Sequence, residues 1–341
     1  MRIDKQTTVY IPAPAHHATG GPELLHQLAH ALIELGINAV MYYIPNGHPD
    51  PVHPEYVRYD VPFAREIEDR PDNVLIVPEV SAKFLDGFSQ IQKVLWWLSV
   101  DNYYCYDNHG RFRVQKKKIN DFLNRFGFFN PLFFDSKLKK IDLHLVQSYY
   151  AKAFLERRGI RNIAYLSDYL NDDFLSIETP LDAKENIVAY NPKKGYEFTK
   201  RIIAFDDSLQ FVPIQNMTRE EVVRLLQKAK VYIDFGNHPG KDRIPREAAM
   251  LNCCVITGKK GAAGYEEDVA IDEKYKFADT NGNIAQIVEM IKKCVNDYDD
   301  AIEDFEAYKK RIAGEKNVFL ADVMQIFAHG ASAEKSKKES L

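Results

Sequence analysis

Phe235-Gly236-Asn237-His238-Pro239-Gly240-Lys241-Asp242-Arg243-Ile244-Pro245-Arg246-Glu247-Ala248-Ala249-Met250 is the stretch that decides how this chain of 341 residues is read. The apolar run Val231–Phe235 has the length of a buried strand. Gly236, Asn237, Pro239 and Gly240 then force a loop, and a helix starts near Pro245, a residue suited to a first helical turn. Polar loops at the carboxyl ends of strands are where α/β sheets hold ligands. Glu247 in the first turn also suits the helix dipole on its own account. Lys241, Asp242, Arg243 and Arg246 together are more charge than a turn requires.

The same alternation extends in both directions. Val9–Pro12, Ala39–Ile44, Val74–Val77, Val94–Trp97, Leu143–Gln147 and Ile163–Leu166 are short apolar runs bounded by breakers, as in a parallel sheet covered on both faces. Between the first two lies an amphipathic helix, Pro22–Leu35, with Leu24, Leu25, Leu28, Leu32 and Leu35 on one stripe and Gly36 as its stop. Tyr149–Arg158 reads as another helix. The stretch Ser167–Lys184, rich in Asp, Asn and Ser, reads as a linker, after which the pattern restarts. Strands are expected at Ile187–Ala189, Gln210–Val212, Val231–Phe235, Val255–Thr257 and Val269–Ile271. Helices are expected at Gly195–Ala204, Glu220–Ala229 behind a capping box at Thr218, Asn283–Val295, Ala301–Arg311 and Val318–Phe327. The expectation is an α/β chain of two Rossmann-like domains facing each other across a cleft. Residues 1–170 form the first and 171–305 the second, with helices about 306–328 packing back on the first. Residues 331–341 read as a disordered polar tail.

Two more loops follow strands and open helices. His16-His17-Ala18-Thr19-Gly20-Gly21 offers glycines for close backbone approach and a helix N-terminus that favours an anion. His16 and His17 are acid/base or hydrogen-bonding candidates. A tight turn carrying exposed histidines is the alternative. Asn191-Pro192-Lys193-Lys194-Gly195 places two lysines where they could hold a diphosphate, or simply where they are solvated. It is not a P-loop, because G-x-x-x-x-G-K-[ST] is absent.

The segment Pro245–Thr257 resembles the nucleotide-binding signature of GT-B glycosyltransferases of the group 1 (family 4-like) type, roughly E-G-F-G-x-P-x-x-E-A-M-A-x-G-x-P-V-I. Gly20-Gly21-Pro22-Glu23 is similar to that family's G-G-x-E loop, and Lys193-Lys194-Gly195 to its K-G donor-phosphate motif. The matches run in order from Val9 to about Thr257. The resemblance implies that Glu247 binds the ribose of a nucleotide-sugar donor and that Lys193 and Lys194 bind its phosphates. Gly20, Gly21, Arg243 and Arg246 complete the expected donor set. The family's first signature glutamate falls on Pro239 and is missing, which leaves Asp242 or His238 to approach the donor sugar. The arginine of the G-R-x-x-x-x-K-G strand end is also absent, which leaves Arg201, Arg243 or Arg246 to supply a second positive charge. Asp242, His17 and Glu247 are the catalytic candidates. The implied reaction moves a sugar from a nucleotide sugar to a glycan or lipid-linked acceptor hydroxyl, with retention, in glycan assembly. Its transition state is oxocarbenium-like, and the charge developing on the leaving diphosphate is stabilised electrostatically. No cofactor and no metal are expected. A non-catalytic binding protein or a nucleotide-sugar epimerase stands as the alternative.

Composition bounds these readings. Lys and Arg number 45 against 49 Asp and Glu, a net charge of −4 that gives no drive toward nucleic acid. The four cysteines form no C-x-x-C pair, and the pattern fits a reducing compartment. The N-terminus reads as carrying no signal peptide. The longest apolar stretch, Val94–Val100, is far below the ~18 residues of a membrane span. The window Arg111–Lys140 is the exception to the charge balance. It holds nine Lys or Arg against two Asp, together with seven Phe. That mixture suits an anionic membrane surface or a lipid-linked acceptor, or equally a core-facing helix with a solvated basic side. Upstream, Asp101 and Tyr103 are acceptor candidates together with His16. The expected location is cytoplasmic, peripheral on the inner face of a membrane.

Overall fold

The computed structural model describes residues 1–105 and 136–332. Most of the basic, Phe-rich window, 111–135, lies outside the described residues, as do 333–341 of the expected tail. The chain divides into two compact units, Met1–Asp168 with Asn317–Leu341, and Tyr169–Lys316.

The first unit carries strands β1 (Thr8–Pro14), β2 (Asn38–Ile44), β3 (Phe63–Ala64), β4 (Val74–Pro78), β5 (Gln92–Trp97), β6 (Leu143–Val146) and β7 (Ile163–Tyr165). Among the described residues they form one sheet in the order β3-β2-β1-β4-β5-β6-β7, every pair parallel. Helices α1 (Gly20–Glu34), α2 (Val100–Cys105) and α3 (Tyr149–Glu156) connect them. The strand order reverses between β1 and β4. The loops leaving those two strands therefore diverge and open a crevice at their carboxyl ends.

The second unit carries α4 (Asp172–Leu175), β8 (Glu185–Tyr190), α5 (Tyr196–Ile203), β9 (Gln210–Pro213), α6 (Arg219–Lys228), β10 (Ala229–Asp234), α7 (Arg243–Met250), β11 (Cys254–Thr257), α8 (Ile284–Asn296) and α9 (Tyr298–Glu303). Its sheet runs β11-β10-β8-β9, again all parallel. Here the order reverses between β8 and β10, so the loops after Tyr190 and Asp234 share one crevice. The central strands are largely apolar because both faces are covered. Val74–Pro78 and Cys254–Thr257 are buried at every position. Thr218 caps α6 with the reciprocal Glu221 contact that its spacing predicts.

Four expectations change. Ser167–Lys184 is no loose linker: Asn171 caps α4, and Leu170 and Phe174 are buried in the second unit's core. Val269 and Ile271 are buried, but the stretch Val269–Ile271 forms no strand. The two helices expected at Ala301–Arg311 and Val318–Phe327 are replaced by α9 and one long helix, α10 (Glu306–Ser332). Gly314 weakens such a helix by only ~1 kcal/mol, and the buried stripe Ile312, Phe319, Val323 and Phe327 outweighs it. Ala331 and Ser332, expected in the tail, belong to that helix.

Glu79 follows β4 at the first unit's reversal point. Its carboxylate is buried and accepts the Leu98 N–H at 2.9 Å. Burial pushes its pKa from 4.5 up to about 8. An unfolded chain ionises this group in the ordinary range, so the native state loses stability as pH rises from about 4.5 to about 8. Glu79→Gln keeps an acceptor for Leu98 and removes that loss. The variant is expected to melt higher than the parent at about pH 8 and level with it at about pH 4. A difference that is the same at both pH values contradicts this.

Candidate functional site

The second unit's crevice is built by two loops held backbone against backbone. Gly195 sits at φ +67, and a Cβ there would fall 2.4 Å from the Phe235 carbonyl oxygen. A Cβ on Gly236 would meet the Lys194 side chain at 2.5 Å. Only glycine at both positions lets the loop after β8 lie directly on the loop after β10. This contact delivers Lys194 to the carboxyl end of β10.

There Lys194 meets two carboxylates. Its Nζ lies 3.3 Å from Asp234 Oδ2 and forms a short contact with Asp242 Oδ2. Asp234, the last residue of β10, is only 1% exposed at its side chain. Its carboxylate accepts from Tyr232 Oη and from the Gly236 N–H, both at 3.0 Å. Asp242 precedes α7 and is 27% exposed at its side chain. Fully buried His238 lies between the two acids, with Nδ1 2.7 Å from Asp242 Oδ2 and Nε2 3.5 Å from Asp234 Oδ1. Burial disfavours the Lys194 ammonium, but the two carboxylates more than offset it, and its pKa is raised. Burial likewise works against the Asp242 carboxylate. The His238 hydrogen bond and the Lys194 charge outweigh it, and the pKa is lowered. Asp234, His238 and Asp242 are grouped closely enough to hold a cation, all within 4.8 Å of one another. The Lys194 ammonium supplies that positive charge.

One turn into α7, buried Glu247 points Oε1 toward Arg219 Nη2 and Arg243 Nε, each at 3.6 Å. Arg219 is half exposed and lies over the Phe174 ring. Lys193 is exposed beside Lys194. Arg201 pairs with Asn281 at 2.6 Å. Arg246, expected to face a donor phosphate, is turned inward. It is fully buried, with Nη1 2.7 Å from Glu315 Oε2, and Lys241 Nζ lies 2.7 Å from Glu315 Oε1. A guanidinium so enclosed binds its own fold, not a ligand. Pro239 is partly buried beside His238.

In the first unit, the loop after β1 is held by Tyr56, whose hydroxyl accepts from Thr19 N and donates to Thr19 O, both at 3.0 Å. Gly20 opens α1. A Cβ on Gly21 would meet only Leu98 Cδ1 at an ordinary 3.7 Å, so the fold itself does not demand glycine there. His16 and His17 are exposed, and His16 Nε2 lies 3.1 Å from His48 Nδ1. Asp101 is partly buried in the first turn of α2. Tyr103, expected to meet an acceptor, is 6% exposed and packs on Trp97 with ring centroids 4.9 Å apart. Its bulk serves the core.

Sequence reasoning missed Asp234 and Glu315 altogether. Asp234 looked like part of an apolar strand, and the i, i+4, i+8 spacing of Asp234, His238 and Asp242 was the available signal. Glu315 lies far from α7 in sequence and gave none.

No protein-family model matches the chain. It is 25% identical over 275 residues, 78% of its length, to an alpha-1,6-glucosyltransferase of Actinobacillus pleuropneumoniae serotype 7 (strain AP76), of which it spans 76%. Among solved structures, sucrose-phosphate synthase from Thermosynechococcus elongatus superposes with a TM-score of 0.62 at 13% identity, over 98% of this chain and 100% of that one. HepE of Anabaena in complex with UDP superposes at 0.59 with 10% identity, over 96% and 100%. A glycosyltransferase from Rickettsia africae ESF-5 superposes at 0.58 with 14% identity, over 95% and 98%. The chain has the GT-B fold, two Rossmann-like units in succession.

Proposed function

We propose that this chain, a GT-B glycosyltransferase by its fold and its sequence relative, moves a hexose from a nucleotide-sugar donor to an acceptor hydroxyl in glycan assembly. The observation that carries the donor site is the placement of Lys194 and Glu247 on the two loops and helix of one switch-point crevice. Such a crevice is where α/β sheets seat nucleotides. In this reading Glu247 accepts hydrogen bonds from the ribose hydroxyls. Lys194, with Lys193 beside it, stabilises the charge that develops on the departing diphosphate. Arg243, beside Glu247, is the nearer arginine for the same task, and buried Arg246 is left out of the donor set. Asp242 is the carboxylate next to Lys194 and takes the place of the family's missing glutamate. Gly20 and Gly21 as donor-binding residues, His17 as a catalytic one, and His16 and Asp101 as acceptor-binding ones belong to this proposal on the sequence resemblance and motifs alone.

Glucose is the proposed hexose, because the sequence relative is named for glucosyl transfer and HepE has been crystallised with UDP-glucose. The reaction is read as retaining and metal-independent. Among the described residues no helix is long and apolar enough to cross a membrane. A cytoplasmic location, with membrane-surface contact through Arg111–Lys140, belongs to this proposal on the sequence's charge pattern alone.

Thermal-shift measurements with UDP-, GDP-, ADP- and dTDP-glucose test the reading. At least one is expected to stabilise the protein by mass action. Glu247→Ala removes a charged acceptor for the ribose and is expected to weaken that ligand by about ten- to a hundredfold, since hydrogen bonds to charged groups contribute roughly 1.5–3 kcal/mol. Unchanged affinity places the ribose elsewhere. Hydrolysis of the bound donor in the absence of acceptor separates an enzyme from a binding protein.

A further inference from the structure

Lys194 carries one positive charge and faces two carboxylates, Asp234 and Asp242. With His238 neutral, these four side chains sum to −1. A diphosphate that engages Lys194 draws the ammonium away from both acids. Asp234 is buried and Asp242 partly so, and buried carboxylates without a counter-charge are costly. His238 is the group placed to answer this. It is 0% exposed, and its two ring nitrogens face one carboxylate each, at 2.7 Å and 3.5 Å.

We propose that His238 is a positioning residue of the donor site, taking up one proton from solvent as a nucleotide sugar draws Lys194 off Asp234 and Asp242. The inference rests on the donor reading above. No covalent bond changes. The imidazole becomes an imidazolium, and the sum over Asp234, Asp242 and His238 returns to −1 while Lys194 serves the phosphates.

Among the described residues the neighbouring charged groups face other partners, Lys241 lying 2.7 Å from Glu315 and Arg243 3.6 Å from Glu247. From β10, Tyr232 Oη is committed to Asp234. From α7, Arg246 Nε donates to the backbone oxygen of Asp242 at 3.4 Å, and its Nη1 faces Glu315. From the segment after β11, the Ala262 N–H donates to the His238 carbonyl at 2.8 Å, and Lys259 and Lys260 pair with Glu273 and Asp279. Gly261 fixes the ring's backbone, because a Cβ there would fall 2.0 Å from the His238 carbonyl oxygen.

Isothermal titration with the stabilising nucleotide glucose, in buffers of different ionisation heat at about pH 7.5, reads the proton directly. Both phosphates of such a sugar are esterified and do not titrate near neutral pH, so any proton belongs to the protein. The parent protein is expected to take up close to one proton per ligand bound. Its affinity then strengthens as pH falls from about 8 to about 6, by at most about tenfold per pH unit. His238→Gln keeps a hydrogen-bonding side chain that cannot be charged. It is expected to bind more weakly, with no proton uptake and a flat pH profile. A purely structural role for His238 would lower affinity and leave the proton count unchanged. Binding by the parent without proton uptake overturns the inference, as does equal uptake by the Gln variant. If the Gln variant does not fold, the NMR ring signals of His238 in the parent decide, an imidazolium in the bound state supporting the inference and a neutral ring overturning it. If no nucleotide sugar binds at all, the donor reading falls and takes this inference with it.

Discussion

Lys194→Ala is expected to lower the rate of sugar transfer about 10²–10³-fold, the range seen when a group stabilising developing negative charge is removed. The leaving nucleoside diphosphate gains charge as the glycosidic bond breaks, so the ammonium matters more in the transition state than in the ground state. The loss should therefore appear mainly in kcat, with a smaller rise in KM. Removing Lys194 also strips Asp234 and Asp242 of their counter-ion. The Asp242 pKa, held low in part by that charge, is expected to rise in the variant. Steady-state kinetics with the stabilising donor check the first point, and carboxyl titration by NMR the second. A variant with near-parent kcat would remove Lys194 from the chemistry.

Arg246→Ala has the second large effect, and it falls on stability. Arg246, Glu315 and Lys241 form a buried charged triad whose two contacts to Glu315 are both 2.7 Å. Truncating Arg246 leaves Glu315 paired with Lys241, but it removes a buried charged hydrogen bond and a large, fully buried side chain, and is expected to cost about 3–5 kcal/mol. Glu315→Gln, which takes away the carboxylate that buried Arg246 and Lys241 share, is expected to cost at least as much. Urea denaturation of the two variants checks both statements. At temperatures where the Ala variant is folded, its donor affinity is expected to match the parent's, because the guanidinium faces the interior. A loss of affinity comparable to that of Glu247→Ala would return Arg246 to the donor site.

These two residues show how far the sequence carries. That Lys194 lies in a loop at a strand's carboxyl end was legible because the loop keeps a strand before it, a glycine after it and a helix beyond, features that depend only on local chain geometry. That Glu247 lies in a helix behind such a loop was legible for the same reason. The fate of Arg246 was not. Which way an arginine in a first helical turn points depends on a partner sixty-nine residues away, Glu315, and nothing local announces it. Tyr103 failed similarly, since an aromatic next to a strand end can serve a ligand or Trp97 equally well. The alternation of strands and helices was read almost entirely, because period and breakers are local. The break expected between Arg311 and Val318 is absent, because long-range burial of Phe319, Val323 and Phe327 holds one helix through Gly314.

The central claim is that a nucleotide sugar sits on the second unit with its diphosphate on Lys194 and its ribose on Glu247. A crystal structure of the protein soaked with the stabilising nucleotide glucose tests it most directly. The account predicts a phosphate oxygen within hydrogen-bonding distance of Lys194 Nζ, the ammonium drawn away from Asp234, and the ribose hydroxyls on the Glu247 carboxylate. A nucleotide seated elsewhere, with Lys194 still held by Asp234 and Asp242, would contradict it.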